Sequence, residues 1–212
     1  GSGATAVTVV PAMAADALHV TMLQRSPSYI FSVPGHDRIS AVLRHLLPER
    51  WVYKLARSRN IFIQRTLYKA AKRWPQLVRR WLLSGVKKQL GKDFDMRHFT
   101  PTYKPWDERL CAVPDADLFE AIKSGKVSVV TDHIETFTEK GIQLKSGQEL
   151  EADLIVTATG LQIQVFGGVH LTVDGEARPI DELMTYKGVV LQDVPNMAWI
   201  FGYSNAPWTL KA

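Results

Sequence analysis

The sequence predicts a mixed α/β chain interrupted by a block of helices, and three observations carry that prediction. Residues Gly1-Ser2-Gly3-Ala4-Thr5-Ala6 read as G-x-G-x-x-A opening a helix, and an apolar run from His19 to Leu23 follows as a strand. From about Asp37 to Leu90 apolar residues recur at mixed spacings of three and four, which is a helical pattern. From Val127 onward, short apolar runs alternate with turns at Glu139-Lys140 and Ser146-Gly147, which is the pattern of a small meander.

The opening stretch carries chemistry. A first glycine allows a tight turn, a second lets backbone approach a pyrophosphate, and a small third residue, here Ala6, lets the helix pack close to a sheet. The helix N-terminus then presents free N–H groups and the positive end of its dipole to the phosphates. The helix is expected to run to about Ala15. About 20 residues beyond the glycines, where an NAD site offers a carboxylate to the ribose, stands Gln24-Arg25-Ser26. Arg25 attracts a 2′-phosphate and Ser26 donates a hydrogen bond to it, so the motif predicts NADPH rather than NADH. A dinucleotide fold places a strand before the first glycine, so the sequence is expected to be a piece of a longer chain.

Val33-Pro34-Gly35 closes a loop, and the helical block follows, punctuated by Pro48 and Pro75 into three or four helices. Gly91, Asp93, Asp95, Pro101 and Pro105 then disfavour regular structure. Asp117 with Glu120 reads as a capping box for a short helix that Gly125 ends. Val127 to Val130 is a strand, the meander follows over Ile134 to Leu150, and Asp153 to Gly160 reads as a buried parallel strand that ends in a glycine turn. Two further apolar runs, Gly188 to Leu191 and Met197 to Gly202, lie near the end.

With 212 residues, 46% hydrophobic and 22% charged, the composition is that of an ordinary globular protein. The single cysteine, Cys111, excludes an internal disulfide and a multi-cysteine metal site, and is expected to be a packed thiol. The six histidines show no metal-ligand spacing, and no apolar run is long enough to span a membrane. The net charge of +5 is unevenly placed. Between Arg38 and Lys88 the only acid is Glu49, and Trp51, Trp74 and Trp81 are interleaved among the cations. Two readings stay open: a solvated basic face, and peripheral attachment to an anionic membrane. No nucleic-acid motif accompanies the charge, so nucleic acid is not an expected partner.

Taken in order, G-x-G-x-x-A, Gln24-Arg25-Ser26-Pro27, the helical block, Pro105-Trp106-Asp107-Glu108-Arg109 and Ala158-Thr159-Gly160 after a meander form a set. The chain resembles the NADPH-binding half of flavin-dependent Baeyer–Villiger monooxygenases. Through Gly1 to Thr8, Leu23 to Pro27 and Tyr186-Lys187-Gly188 it is most similar to their ethionamide-activating branch. The resemblance implies a Rossmann-like NADPH-binding domain over residues 1–160, with the helical insertion at about 37–90, and part of an FAD-binding domain over 161–212. It implies NADPH and FAD as cofactors, and molecular oxygen with a ketone or sulfur-containing small molecule as substrates. One oxygen atom is inserted into a ketone, or sulfur or nitrogen is oxidised, through a flavin peroxide. The family's FAD-binding G-x-G-x-x-G and its F-x-G-x-x-x-H-x-x-x-W-P fingerprint belong upstream of Gly1, so this piece alone is expected to be inactive.

The site residues implied are Gly1, Ser2, Gly3, Ala4, Thr5 and Ala6 around the pyrophosphate, Arg25 and Ser26 at the 2′-phosphate, and Thr159 and Gly160 near the nucleotides. Arg109 matches the active-site arginine, where a permanent cation stabilises anionic oxygen. Glu108 stands where relatives often carry a phosphate-binding Lys, and Asn205 and Trp208 are candidates to face flavin or substrate. The alternatives are another NADPH-dependent flavoprotein oxidoreductase, of N-hydroxylating or reductase type, and a basic helical membrane-surface module. The expected location is cytoplasmic, with any membrane contact made by the basic helices.

Overall fold

A computed structural model of the chain describes residues 1–108, 110–162 and 164–200. The chain divides into two compact units, Gly1–Gly160 and Leu161–Ala212.

In the first unit, helix α1 (Ala4–Met13) follows the glycine turn. Pro11 cannot donate to the carbonyl four residues back, and the helix ends two residues later, short of Ala15. Strand β1 (Val20–Gln24) alternates inward Val20, Met22 and Gln24 with outward Thr21. Strand β2 (Tyr29–Val33) follows. Three helices occupy the basic stretch: α2 (Arg38–Leu43), α3 (Glu49–Arg73) and α4 (Pro75–Leu90). Asp37 caps α2 by accepting from Ser40 N–H at 3.2 Å, and it also pairs with Arg59 of α3. Helix α3 is rich in good helix formers, with Glu49 in its first turn and Lys72 and Arg73 in its last, matching the dipole. Pro75 sits in the first turn of α4, where its missing N–H has no intrahelical partner to lose.

A 3₁₀ turn (Met96–Phe99) interrupts the Gly91–Lys104 loop. Strand β3 (Leu110–Pro114), helix α5 (Asp117–Lys123) and strand β4 (Val127–Thr131) follow. The capping box is not formed. Left-handed Ala116 starts α5, Asp117 turns its carboxylate to the adjacent Leu118 N–H, and Glu120 pairs with Lys123. Strand β1 runs parallel to β4, in register from Val20 opposite Val127 to Gln24 opposite Thr131. Strand β2 runs parallel to β3, with Tyr29 opposite Leu110. Strands β5 (Ile134–Phe137), β6 (Gly141–Leu144) and β7 (Glu149–Glu151) form the antiparallel meander.

The main core joins Val7 and Val10 of α1 to Met22, Ile30, Val113, Leu118, Phe119 and Val127. A second cluster, Tyr29, Ala71, Val78 and Leu82, fixes α3 and α4 to β2. The Asp153–Gly160 segment forms no strand among the described residues. Extended backbone becomes a strand only with a ladder partner; here none pairs with it, and Leu154, Ile155 and Val156 are exposed rather than buried.

The second unit holds two small antiparallel pairs, β8 (Thr172–Val173) with β9 (Glu176–Ala177) and β10 (Thr185–Tyr186) with β11 (Val190–Leu191). Val190 also bridges Ala198, so the start of the run from Met197 joins this unit, and Phe201 onward lies outside the described residues.

Candidate functional site

The two glycines of the turn are there for different reasons. A Cβ on Gly1 would lie 2.1 Å from the carbonyl oxygen of Ala158, so only hydrogen fits. This contact brings Ala158-Thr159-Gly160 to the glycine turn, and Gly160 takes a left-handed backbone with φ +99°. A Cβ on Gly3 would meet nothing within 4 Å, and its backbone is extended at φ −84°, ψ −176°. Neither packing nor backbone therefore requires glycine at position 3. Ser, Asn or Asp there would also cap α1 with a side-chain oxygen, and Gly3 makes no such bond. The open space over Gly3 is a place where backbone can be approached from outside.

The first bond of α1 runs from Val7 N–H to Gly3 O, which leaves the amides of Ala4, Thr5 and Ala6 at the open end of the helix. Ala4 and Thr5 are exposed, and Ala6 is buried where α1 packs on β3 and α5. These features fit a pyrophosphate: amides that donate, a dipole end that attracts anions, and a clear approach over Gly3.

Ser2 also has a structural job through its side chain. Its side chain is buried, donates to Ser26 O at 2.9 Å and shares a hydrogen bond with Ser28 Oγ at 2.9 Å. Its own carbonyl accepts from the buried Cys111 thiol at 3.7 Å. Ser2 thus ties the glycine turn to the loop after β1.

That loop presents Arg25 outward, exposed and without a hydrogen bond or ion pair among the described residues, next to half-buried Ser26. Gln24 points the other way. It is buried, and its amide donates to His98 O at 2.7 Å and Thr131 Oγ1 at 2.8 Å. His98 Nδ1 meets the same Thr131 hydroxyl at 2.8 Å, and burial, aided by Arg97, lowers the His98 pKa below its ordinary 6.5. Sequence reasoning missed this cluster. Its one signal was the alternation that puts Gln24 in phase with Val20 and Met22.

Arg109, Asn205 and Trp208 lie outside the described residues. The segment that leads to Arg109 is described and firmly held. Arg79 Nη1 donates to Pro101 O at 2.6 Å and to Tyr29 Oη at 2.8 Å, while Tyr29 Oη donates to Tyr103 O at 2.8 Å. Burial pushes the Tyr29 phenol above its ordinary 10.0, which keeps that donor protonated. Trp106, left-handed at φ +67°, packs edge-on against Tyr68, with ring centroids 6.3 Å apart. Asp107 accepts from Lys72 at 2.8 Å, which lowers the pKa of the carboxyl and raises that of the amine.

A shallow groove of about 280 Å³ between β2 and α4, lined by Phe31, Trp81 and Lys88 among others, contains none of the predicted site residues. Among the described residues no three His, Cys, Asp or Glu side chains group to hold a metal, and no helix is long and apolar enough to cross a membrane.

No protein-family model matches the chain. Its whole length aligns with the FAD-containing monooxygenase MymA of Mycobacterium tuberculosis at 64% identity over 216 residues, 44% of that protein. It is 56% identical to the FAD-binding monooxygenase AlmA of Acinetobacter baylyi and 54% identical to the FAD-containing monooxygenase EthA of Mycobacterium tuberculosis, again over the whole chain and 43% and 44% of those proteins. The chain is homologous to a segment of the FAD-containing monooxygenases. It spans under half the length of these curated relatives. In fold it resembles a mutant cyclohexanone monooxygenase from Rhodococcus sp. Phi1, solved bound to NADP+, with a TM-score of 0.64 over 99% of this chain and 49% of that one, at 18% identity. That likeness to a monooxygenase concerns the fold alone.

Proposed function

We propose that residues 1–160 are the Rossmann-like NADPH-binding domain, with its helical insertion, of an FAD-dependent Baeyer–Villiger-type monooxygenase, and that 161–212 belong to its FAD-binding domain. The observation that carries this reading is Gly3: a glycine that nothing among the described residues requires, facing open space at the N-terminal end of α1. Backbone from Gly1 to Ala6 takes the pyrophosphate, with Thr159 and Gly160 beside the turn. Arg25 and Ser26 take the 2′-phosphate. NADPH, once bound, supplies the hydride that reduces the flavin, and FAD supplies the activation of molecular oxygen. The chain's own part in the later chemistry is Arg109, a permanent cation that stabilises negative charge on oxygen as a ketone, or a sulfur or nitrogen compound, is oxidised.

The test is anaerobic mixing of the full-length protein with NADPH and, separately, NADH, following flavin bleaching. Fast bleaching with NADPH and slow bleaching with NADH are expected, and Arg25→Ala should reduce that preference by about tenfold or more, the worth of a charge-assisted phosphate contact. Absence of bound flavin, or equal rates with both nucleotides, defeats the reading. Arg109→Ala should keep flavin reduction and lose product; normal product formation by that variant would instead favour a flavoprotein of another reaction type.

A second reading concerns the basic helices. Trp51, Phe62 and Trp74 are exposed at 48%, 70% and 57% among Arg50, Lys54, Arg65, Lys69 and Arg73, and Arg50 and Lys54 both lie over the Trp51 ring. Aromatic rings set among cations suit the surface of an anionic membrane. Salt-sensitive binding of the full-length protein to phosphatidylserine vesicles, unaffected by NADPH, is the expected result; no binding at low salt excludes it.

A further inference from the structure

The backbone on both sides of Arg25 is held, while the Arg25 side chain engages nothing among the described residues. Before it, the Gln24 carbonyl accepts from Asp132 N–H at 3.0 Å, and the Gln24 amide donates to His98 O at 2.7 Å and to Thr131 Oγ1 at 2.8 Å. After it, the Ser26 carbonyl accepts from Ser2 Oγ at 2.9 Å. Asp132, the acid that follows Thr131, directs its carboxylate to His133 N–H at 2.6 Å and Ser146 N–H at 3.2 Å, and forms no ion pair with Arg25. Gln24 itself is an unusual choice for its position. Val20 and Met22, in the same inward phase of β1, are apolar, and a buried amide costs stability unless its donors are satisfied. Both acceptors lie outside β1, His98 in the 3₁₀ turn and Thr131 at the end of β4. An apolar side chain would fill the same space, but only a donor ties the end of β1 to both of them.

Resting on the function proposed above, we infer that Gln24 is a positioning residue that determines nucleotide specificity: its buried amide fixes the backbone from which the Arg25 guanidinium reaches the 2′-phosphate. An arginine carried on a backbone that is already set loses less freedom when it binds, and such preorganisation raises affinity by lowering that cost. NADH has no 2′-phosphate and draws nothing from the arrangement. The clamp therefore acts on the choice between the two nucleotides, not on nucleotide binding in general. Gln24 makes no contact with the nucleotide in this role; it acts through Arg25.

The test separates the two nucleotides in the full-length, flavin-loaded protein, from the apparent Kd and the limiting rate of anaerobic flavin reduction. Gln24→Met keeps the length of the side chain and removes the donor. It should raise the apparent Kd for NADPH by about fivefold, the worth of the lost hydrogen bonds, leave that for NADH within about twofold, and leave the limiting rate with either unchanged. Thr131→Val removes one of the two acceptors and should weaken NADPH by about twofold, whereas Thr131→Ser keeps the hydroxyl and should match the parent. Thr131→Val also carries the test should Gln24→Met fail to fold. Because Gln24 acts through Arg25, adding Gln24→Met to Arg25→Ala should cause no further loss of preference. Equal weakening of both nucleotides, an unchanged preference in Gln24→Met, or a further loss in the double variant would overturn the inference. Failure of the function proposed above looks different: the parent protein would then show no preference for NADPH, or Arg25→Ala would leave that preference intact.

Discussion

Helix α1 has 10 residues and buries Ala6, Val7 and Val10; helix α3 has 25 and buries only Val52 and Ala71. The buried face of α1 packs into the main core. Along α3 the stretch from Asn60 to Thr66 is exposed throughout, and the helix is held on either side of it, by the Arg59–Asp37 pair before it and by Tyr68, Ala71 and Lys72 after it. The contrast shows how one chain divides its constraints. The glycine-turn end is specified by fit, one atom at a time. The insertion is specified by helix propensity and a few anchors, with most of its surface left open.

Substitutions sharpen this contrast. The largest effect should come from Gly1→Ala. Its methyl group would collide with Ala158 backbone, and forced overpacking of this kind costs about 1–3 kcal/mol, so NADPH affinity of the full-length protein should fall about 10- to 100-fold by titration calorimetry. Unchanged affinity would mean that the turn is softer than the geometry implies. Tyr29→Phe comes next. It removes the hydroxyl that Arg79 and Tyr103 share, and should destabilise the protein by about 1–3 kcal/mol in chemical unfolding while leaving the glycine turn intact.

A smaller effect depends on pH. The folded chain holds the His98 pKa below 6.5, so between that lowered value and 6.5 the unfolded chain binds more protons. Stability should therefore rise with pH through this window and be lost as pH falls below about 6.5, and thermal midpoints of His98→Gln should lack that part of the slope. The smallest effect belongs to α3. Phe62→Ser, at a position 70% exposed, should shift stability by no more than about 0.5 kcal/mol. A loss well above 1 kcal/mol would mean that α3 is as constrained as α1, and the contrast would fail.

What the sequence made legible was local. The glycine turn, the helical block bounded by Pro48 and Pro75, the meander and the inward phase of Val20 and Met22 all rest on neighbours within a few residues. The ordered motifs together pointed to the flavin monooxygenase family. What was misread depends on distant partners. Leu154-Ile155-Val156 has the composition of a buried strand, yet burial requires a ladder neighbour that no local pattern supplies. Asp117 and Glu120 have capping-box spacing, yet left-handed Ala116 moves the helix start by one residue. Gln24 meets His98 and Thr131, both distant in sequence, and Ser2 meets Ser26 and Ser28, so beyond the inward phase of Gln24 neither polar cluster had a signature in its own segment.

The contact between Gly1 and the Ala158 carbonyl also matters for recombination. Two segments from opposite ends of the first unit share a space into which no additional methyl fits. A chimaera that takes its opening residues from one parent and its Ala158–Gly160 segment from another keeps its shape only if the donor also carries glycine at the first position and the same backbone path at the second. Breakpoints within α3, where side chains such as Ile61 and Phe62 face outward, impose no such matching. Shuffled libraries of this family should therefore recover functional crossovers in the insertion far more often than between the turn and the segment that closes over it.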